Sequence, residues 1–353
     1  SALDVALSLA PQNSEIFSGL LLFHHYAANP DTRALFELHR RYGRMMAQQL
    51  PPRNRRIYPH EREPERRLRI GYVSRNFSRH SVGYFIEPVI AAHDRSRYCV
   101  YCYYTHAHAD ETTQRIAQLA QVWRHVIEGS DEALAKMIED DGIDILIDLG
   151  GHTKLNRLGV FARRPAPVQL TWLGYPDTTG LEAIDYRITD AIADPAPSAD
   201  ERHTERLLRL SPSFLCYQPP RDSPAITSRS AHENIVFGCF NMLPKVNARA
   251  IDMWARILRA VPGSRLILKS ASLEHASSSA RVLESFTARG VERARIDLRA
   301  WAPERTHHLA AYGEIDIALD TFPYNGTTTT CEALWMGVPV VTLVGKTHAQ
   351  RVS

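Results

Sequence analysis

The residues best suited to chemistry lie in the run IDIALDTFPYNGTTTTCEALWMGVPVV, where a strand pattern ends at Asp320 and a Pro-Tyr-Asn-Gly turn follows. The four threonines from Thr327 to Thr330 then open a helix. Unpaired backbone N–H groups at a helix start, the helix dipole and several hydroxyls together suit phosphate oxygens. The simpler alternative is that the threonines only cap the helix. One threonine is enough for a cap, so capping does not account for a run of four. The run therefore predicts an anion site.

A lysine and a glutamate accompany this run. The strand pattern IVFGCF delivers Asn241 to a loop, and Lys245 follows just before an amphipathic helix. A lysine at the carboxyl end of a strand can offset the charge of a leaving diphosphate, although most lysines are merely solvated. Glu332, inside the threonine helix, can accept hydrogen bonds from the hydroxyls of a ribose or simply favour the start of the helix.

Further candidates follow other predicted strands. His80 lies in a polar loop after the first strand, where a histidine can orient or deprotonate an acceptor, and an ordinary loop histidine is the alternative. His307 carries the same two alternatives. The turn of Gly174, Tyr175 and Pro176 follows another strand. Its glycine can let a ligand approach the backbone, or the turn can be an ordinary connection between elements.

Motifs for metals and dinucleotides are missing from the sequence. No two aspartates are separated by one residue, and neither a Walker A motif nor G-x-G-x-x-G occurs. We therefore expect protein groups to neutralise charge, with no metal and no other cofactor.

These residues need a scaffold in which strand ends come together. From Leu68 onward, continuous apolar strand patterns alternate with helical patterns, and after a loop-rich break the alternation starts again at IVFGCF. Such alternation predicts an α/β protein with two doubly wound, Rossmann-like lobes and a cleft between them, which the candidate loops should face. We expect a helical lead-in over 1–50 with a single break at Pro30-Asp31, a linker over 51–67 and a first lobe over 68–222. A second lobe over 223–353 should be incomplete at its end, where a new helix begins near Thr347.

Composition limits the classes of function. The 353 residues are 44% hydrophobic, and 42 basic and 39 acidic side chains give a net charge of +3. Because these charges are scattered, we expect no nucleic-acid surface. The five cysteines are odd in number and suit reduced thiols, and no apolar run approaches the length of a membrane span. These observations predict a soluble, cytoplasmic protein.

Four runs together resemble a known family: RIGYVSRNFSRHSVGYFIEP, FARRPAPVQLTWLGYPDTTGLEAIDYRITD, FGCFNMLPK and LDTFPYNGTTTTCEALWMGVPVVTLVG. They are similar to the catalytic region of the protein O-linked N-acetylglucosamine transferases, which include the plant SPINDLY proteins. The resemblance covers the chain from about Leu68 to its end. It implies a GT-B fold and an inverting, metal-independent transfer from a nucleotide sugar to Ser or Thr hydroxyls of a protein or peptide. It also implies tetratricopeptide repeats before Ser1, through which the protein could form homo-oligomers.

The resemblance also implies roles for individual residues. Lys245 would contact the diphosphate, Glu332 the ribose, and Ala302 with His307 the nucleotide. His80 and the turn at Gly174 would face the sugar and the acceptor. The full predicted set is Lys245 and His80 as catalytic residues, and Gly174, Tyr175, Pro176, Asn241, Ala302, His307, Asn325, Gly326, Thr327, Thr328, Thr329 and Glu332 as substrate-binding residues.

The identity of the donor depends on departures from the family pattern. Where the animal enzymes carry Gln, His and Asp, this sequence has Met242, Thr327 and Glu332. The resemblance as a whole implies UDP-N-acetylglucosamine as donor. The versions SRHSVGYF and FPYNGTTTTCE are closer to the SPINDLY branch, which implies GDP-fucose as the alternative. A non-catalytic nucleotide-binding scaffold is the third possibility.

Overall fold

The chain forms two compact units. The computed structural model describes residues 2–50, 63, 65–226, 234–300 and 304–353. Unit 1 comprises Ser1–His24 and Asp31–Gln218, and unit 2 comprises His25–Pro30 and Pro219–Ser353. Each unit has its own parallel sheet, as predicted from the two series of alternating strands and helices.

Unit 1 is built on a seven-stranded parallel sheet. Its strands are β1 (Leu68–Ser74), β2 (Tyr98–Tyr104), β3 (Val122–His125), β4 (Ile145–Asp148), β5 (Val168–Thr171), β6 (Tyr186–Asp190) and β7 (Arg206–Leu210). The order across the sheet is β3-β2-β1-β4-β5-β6-β7, so the strand order reverses at β1. The central strands β1, β2 and β4 are mainly apolar, as expected where helices cover both faces of a doubly wound sheet.

Seven helices belong to the same part of the chain. They are α1 (Ala2–Leu9), α2 (Ser14–His24), α3 (Thr32–Gln48), α4 (Ser81–Ala92), α5 (Glu111–Leu119), α6 (Asp131–Asp140) and α7 (Leu158–Ala162). The predicted helical lead-in shares one core with the sheet, since Phe17, Leu21 and Tyr42 belong to the same buried cluster as Val73 and Leu146. The lead-in therefore packs as part of unit 1, except for His25–Pro30, which groups with unit 2.

The lead-in has one more break than its pattern predicted. The first apolar run forms α1 and α2 rather than one helix, because Pro11 lacks the N–H that a helix interior requires. The side chain of Asn13 accepts hydrogen bonds from the N–H groups of Glu15 and Ile16 and so caps α2. The break predicted at Pro30 is confirmed, and Asp31 caps α3.

Unit 2 is built on a five-stranded parallel sheet. Its strands are β8 (Val236–Cys239), β9 (Arg265–Lys269), β10 (Ile296–Arg299), β11 (Ile317–Leu319) and β12 (Val340–Val341), and its helices are α8 (Ala248–Ala260), α9 (Ala276–Thr287), α10 (Arg305–Ala310) and α11 (Thr328–Trp335). The order is β10-β9-β8-β11-β12, so the strand order reverses at β8. Ligands of such sheets bind where the order reverses, at the carboxyl ends of the strands.

Two further predictions concern the helix near Thr347 and the linker over 51–67. The helix predicted near Thr347 is a single turn of 3-10 helix, His348–Gln350. The linker predicted over 51–67 lies for the most part outside the described residues. No helix in the described ranges is both long and apolar enough to cross a membrane.

Candidate functional site

The predicted anion-binding residues meet in unit 2 at the point where the strand order reverses. Asn241 and Lys245 follow β8, and the turn before α11 follows the neighbouring strand β11. The two strands are paired directly, so the loops that leave their carboxyl ends are adjacent. The local sequence and the sheet topology therefore agree on one location.

A buried carboxylate organises this loop. Asp320, which is 7% exposed, accepts hydrogen bonds from the N–H groups of Gly326 (2.7 Å) and Thr321 (2.8 Å) on one oxygen. The same oxygen accepts from the Asn241 amide (3.2 Å), and the other accepts from the Thr342 hydroxyl (2.7 Å). Because a buried charge must be hydrogen-bonded, these contacts fix the backbone between β11 and α11.

Lys245 lies in a 3-10 turn, Leu243–Lys245, beside this loop. Its ammonium donates a hydrogen bond to the Asn325 carbonyl (2.7 Å) and lies 3.8 Å from the centre of the Tyr324 ring. Burial lowers the pKa of Lys245 to about 8, while the negative charge of Asp320 acts in the opposite direction. Among the described residues no carboxylate lies within 4 Å of the ammonium. Its charge is thus left for an anionic ligand to neutralise.

The threonine run provides donors at the start of α11. Thr327 is the N-cap, yet its side chain makes no capping hydrogen bond, so the simpler capping role is not the one observed. The hydroxyl of Thr329 donates to the Asn241 side chain (3.1 Å), and that of Thr330 bonds the Gly326 carbonyl (3.2 Å). In the described part of the chain the N–H groups of Thr328 and Thr329 have no protein partner. Thr329 can therefore offer an anion its N–H, since its hydroxyl proton is already used.

Gly326 and Asn325 shape the turn. A Cβ on Gly326 would lie 2.3 Å from the Thr329 hydroxyl and 2.9 Å from the Asn241 side-chain oxygen, so only glycine fits there. Asn325 is fully buried, and its amide donates to the Thr321 carbonyl (2.9 Å). Asn325 and Asn241 thus hold the loop and the helix start in place.

Glu332 belongs to a second hydrogen-bonded chain. Its carboxylate accepts from Nε2 of His308 (3.0 Å), and Nδ1 of His308 accepts from the Lys269 ammonium (3.0 Å). Burial lowers the pKa of Lys269 to about 8, and the charge of Glu332 opposes this. The side chain of Glu332 is 5% exposed. One carboxylate oxygen is therefore committed to His308.

His307, the predicted nucleotide contact, lies on the outside of α10. Its side chain is 70% exposed and lies 3.3 Å from the Glu304 carboxylate. Its neighbour His308 points inward to Glu332 because adjacent helical residues face directions about 100° apart. The structure thus brings His308, and not His307, to the other predicted residues. Ala302 lies outside the described residues.

His80 is the N-cap of α4 in unit 1. Its Nδ1 accepts the N–H of Val82 (3.2 Å). Although the side chain keeps contact with solvent, partial burial of the ring lowers the pKa of His80 and the Arg75 charge adds to this effect. A neutral ring with Nδ1 engaged carries its proton on Nε2. His80 therefore presents a hydrogen-bond donor, and this arrangement disfavours the predicted alternative of a general base.

The predicted turn at Gly174 lies at the carboxyl end of β5. A Cβ on Gly174 would lie 2.0 Å from the Leu149 carbonyl, so the loops after β4 and β5 touch backbone to backbone. Leu173 has φ +76°, and the Gly174 N–H donates to the Trp172 carbonyl (2.9 Å), which together form a strained γ-turn. Tyr175 points inward, where its hydroxyl bonds Nε2 of the buried His39 (2.8 Å). The side chain of Tyr175 is therefore engaged inside unit 1, and its carbonyl accepts a hydrogen bond from Arg187 (2.8 Å).

Several residues of the site were not predicted from the sequence. His308 and Lys269 form the hydrogen-bonded chain to Glu332. Asp320 holds the loop, and the ring of Tyr324 contacts the Lys245 ammonium. A buried aspartate at a strand end is a recognisable signal for Asp320. No local signal marks Lys269, which lies 63 positions from Glu332 in the sequence.

Comparison with known proteins identifies the family of this chain and a solved structure with a similar fold. The model of glycosyl transferase family 41 matches residues 41–229 and 218–353. A solved mutant of the Thermobaculum terrenum O-GlcNAc transferase is 46% identical, covers 99% of this chain and superposes with a TM-score of 0.94. This chain covers 66% of that structure. The similarity confirms the predicted GT-B class, with a Rossmann-like sheet in each lobe.

Curated relatives come from plants and animals. The probable UDP-N-acetylglucosamine-peptide N-acetylglucosaminyltransferase SPINDLY of Solanum lycopersicum is 43% identical over 98% of this chain. The corresponding SEC protein of Arabidopsis thaliana is 34% identical over 82% of this chain. The chain spans 38% of the length of the first relative and 30% of the second.

Proposed function

Because this chain belongs to glycosyl transferase family 41, we propose that it is the catalytic part of a protein O-glycosyltransferase. The enzyme moves N-acetylglucosamine from UDP-N-acetylglucosamine to Ser or Thr hydroxyls of a protein or peptide, with inversion and without a metal ion. The names of its plant relatives, probable UDP-N-acetylglucosamine-peptide N-acetylglucosaminyltransferases, support this donor and this acceptor.

The observation that carries the proposal is the ammonium of Lys245, which lies beside the start of α11 with no carboxylate within 4 Å among the described residues. The ammonium has a carbonyl and an aromatic ring as partners, and the nearby N–H groups of Thr328 and Thr329 have no protein partner in the described residues. Positive charge and directed N–H groups at one strand end match the oxygens of a diphosphate. Such a site supports donor binding and leaving-group stabilisation together.

The proposed reaction is an in-line attack of an acceptor hydroxyl, which gives up its proton to the solvent, on the anomeric carbon of the sugar. The bond from that carbon to the diphosphate breaks, and the negative charge that develops on the leaving diphosphate is stabilised by Lys245 and by the helix N–H groups. Glu332 binds the ribose through the oxygen that His308 leaves free. His80 donates a hydrogen bond from Nε2 to an oxygen of the sugar or the acceptor.

The first test is calorimetric binding of UDP, GDP, UDP-N-acetylglucosamine and GDP-fucose to the protein and to its Lys245→Ala variant. Selective uridine binding that weakens in the variant supports the proposal. Selective guanosine binding moves the protein to GDP-fucose as donor, and an absence of binding favours a non-catalytic scaffold. Lys136→Ala is a matched control because Lys136 lies exposed on α6, where it pairs with Asp140.

A transfer assay with a peptide acceptor separates catalysis from binding. We expect Lys245→Ala to abolish nearly all turnover while the far-UV circular dichroism spectrum stays unchanged. Full turnover in this variant contradicts the assignment. Activity towards small molecules without any protein acceptor points to a different GT-B enzyme.

A further inference from the structure

An aromatic side chain from the other end of the sequence contacts the ring that supports Lys245. Tyr26 stacks on Tyr324, with ring centres 5.5 Å apart and an interplanar angle of 25°. His25, which is 5% exposed, meets the same ring edge-on at 6.1 Å. Both residues lie in His25–Pro30, a segment that groups with unit 2. The ring of Tyr324 is therefore held by residues about 300 positions away in the sequence.

The backbone and the ring of Tyr324 are held by different partners. Its carbonyl accepts from the Thr321 hydroxyl (2.7 Å), and the next N–H, that of Asn325, donates to the Ala349 carbonyl (2.9 Å). These bonds fix the main chain of the turn, whereas the side-chain torsions of Tyr324 depend on what the ring contacts. Stacking against Tyr26 limits them, since offset stacked rings resist rotation out of contact.

We propose that Tyr26 is a positioning residue for the diphosphate-binding lysine. By stacking on Tyr324, it fixes the ring face over which the Lys245 ammonium lies at 3.8 Å. The ammonium is attracted to the negative face of the ring, so the position of the ring sets the position of the charge. The donor site of unit 2 is then incomplete without the segment His25–Pro30. This inference rests on the proposed role of Lys245.

The size of the effect follows from the contacts involved. A stacked aromatic pair stabilises its arrangement enough to change a binding equilibrium that depends on it by about two- to tenfold. Tyr26→Leu removes the stacked ring but keeps an apolar side chain, so we expect UDP to bind about two- to tenfold more weakly. Uridine, which lacks the diphosphate, should bind equally to both proteins. Tyr26→Phe keeps the ring and should restore the affinity for UDP.

The experiment is a double-mutant cycle on the whole chain, measured by calorimetry with UDP and uridine, or with GDP and guanosine if the protein prefers GDP. In a Lys245→Met background, Tyr26→Leu should cause no further loss of diphosphate affinity. Tyr324→Leu should reproduce the loss and serves as the second variant if Tyr26→Leu does not fold.

The outcomes separate this inference from the function on which it rests. Unchanged UDP binding in Tyr26→Leu overturns the inference alone. An equal loss for UDP and uridine, or a further loss in the Lys245→Met background, also overturns it, because the effect then does not pass through the lysine. Failure of Lys245→Met itself to weaken UDP binding overturns the proposed function, and this inference with it.

Discussion

Replacement of Lys245 by methionine should weaken diphosphate binding and stabilise the fold at the same time. Methionine keeps most of the length of the side chain and removes the charge. The two effects have opposite signs because the ammonium is buried without a carboxylate partner within 4 Å among the described residues. A lysine present only for structure would not give this combination.

The gain in stability follows from the pKa of the lysine. Burial lowers the pKa of Lys245 from 10.5 to about 8. At about 1.36 kcal/mol for each tenfold change in the protonation equilibrium, this corresponds to about 3 kcal/mol of destabilisation at neutral pH. The hydrogen bond to the Asn325 carbonyl is lost on substitution, at a cost of about 1 kcal/mol. We therefore expect the variant to be more stable by about 1–2 kcal/mol.

The pH dependence has a definite sign. Below pH 8 the lysine is protonated in the folded and the unfolded chain, so the destabilisation is complete there. Above 10.5 it is neutral in both states and the destabilisation is gone. The advantage of methionine should therefore be largest at neutral pH and shrink as the pH rises from about 8 to 10.5.

The loss in affinity reflects charge-assisted contacts to the ligand. A hydrogen bond to a charged group contributes about 1.5–3 kcal/mol, which corresponds to a roughly tenfold to hundredfold weaker binding of the diphosphate. Affinity for the nucleoside alone should not change, since in the proposed site the ammonium meets only the phosphate oxygens.

Urea unfolding at pH 7 and pH 10 gives the stabilities, and calorimetry with UDP, GDP and their nucleosides gives the affinities. Lys136→Met on the surface of α6 is the control, and it should change neither quantity by more than about 0.5 kcal/mol. A variant that is less stable than the wild type, or that binds diphosphate equally well, would refute the reasoning.

Three further predictions concern Gly326, Glu332 and the buried histidines His39 and His152. Gly326→Ala should abolish measurable diphosphate binding, because its Cβ would lie 2.3 Å from the Thr329 hydroxyl; calorimetry checks this. Glu332→Gln should weaken binding of UDP but not of 2′,3′-dideoxy-UDP, and an equal loss for both contradicts the ribose role. Burial lowers the pKa of His39 and of His152 to about 3. Because the unfolded chain then binds protons that the folded chain does not, the free energy of unfolding should fall by about 2 kcal/mol per histidine between pH 6.5 and pH 5. In urea titrations, His39→Gln should show about half of the total fall seen in the wild type.

Local patterns in the sequence were sufficient for the scaffold and for the position of the main site. Apolar runs broken by helical patterns indicated two parallel sheets, because a strand covered on both faces has to be apolar throughout. The threonine run and Lys245 were recognisable because each lies in the segment that follows a strand, and parallel strands bring their carboxyl ends to one edge. The interrupted lead-in at Pro11 was missed, since its apolar residues keep helical spacing on both sides of the proline.

The directions of individual side chains required the tertiary structure. His307 and His308 are adjacent and chemically identical, and only the packing of α10 decides which one meets Glu332. Tyr175 turns inward because His39, on a helix far away in sequence, offers a buried hydrogen-bond acceptor. The contact of Tyr26 with Tyr324 joins two ends of the chain. The sequence by itself thus determined most of the elements and the position of the candidate site, because these depend on local periodicity and residue type. The tertiary structure alone decided which side chains share the site, because that depends on helix rotation and on contacts between distant segments.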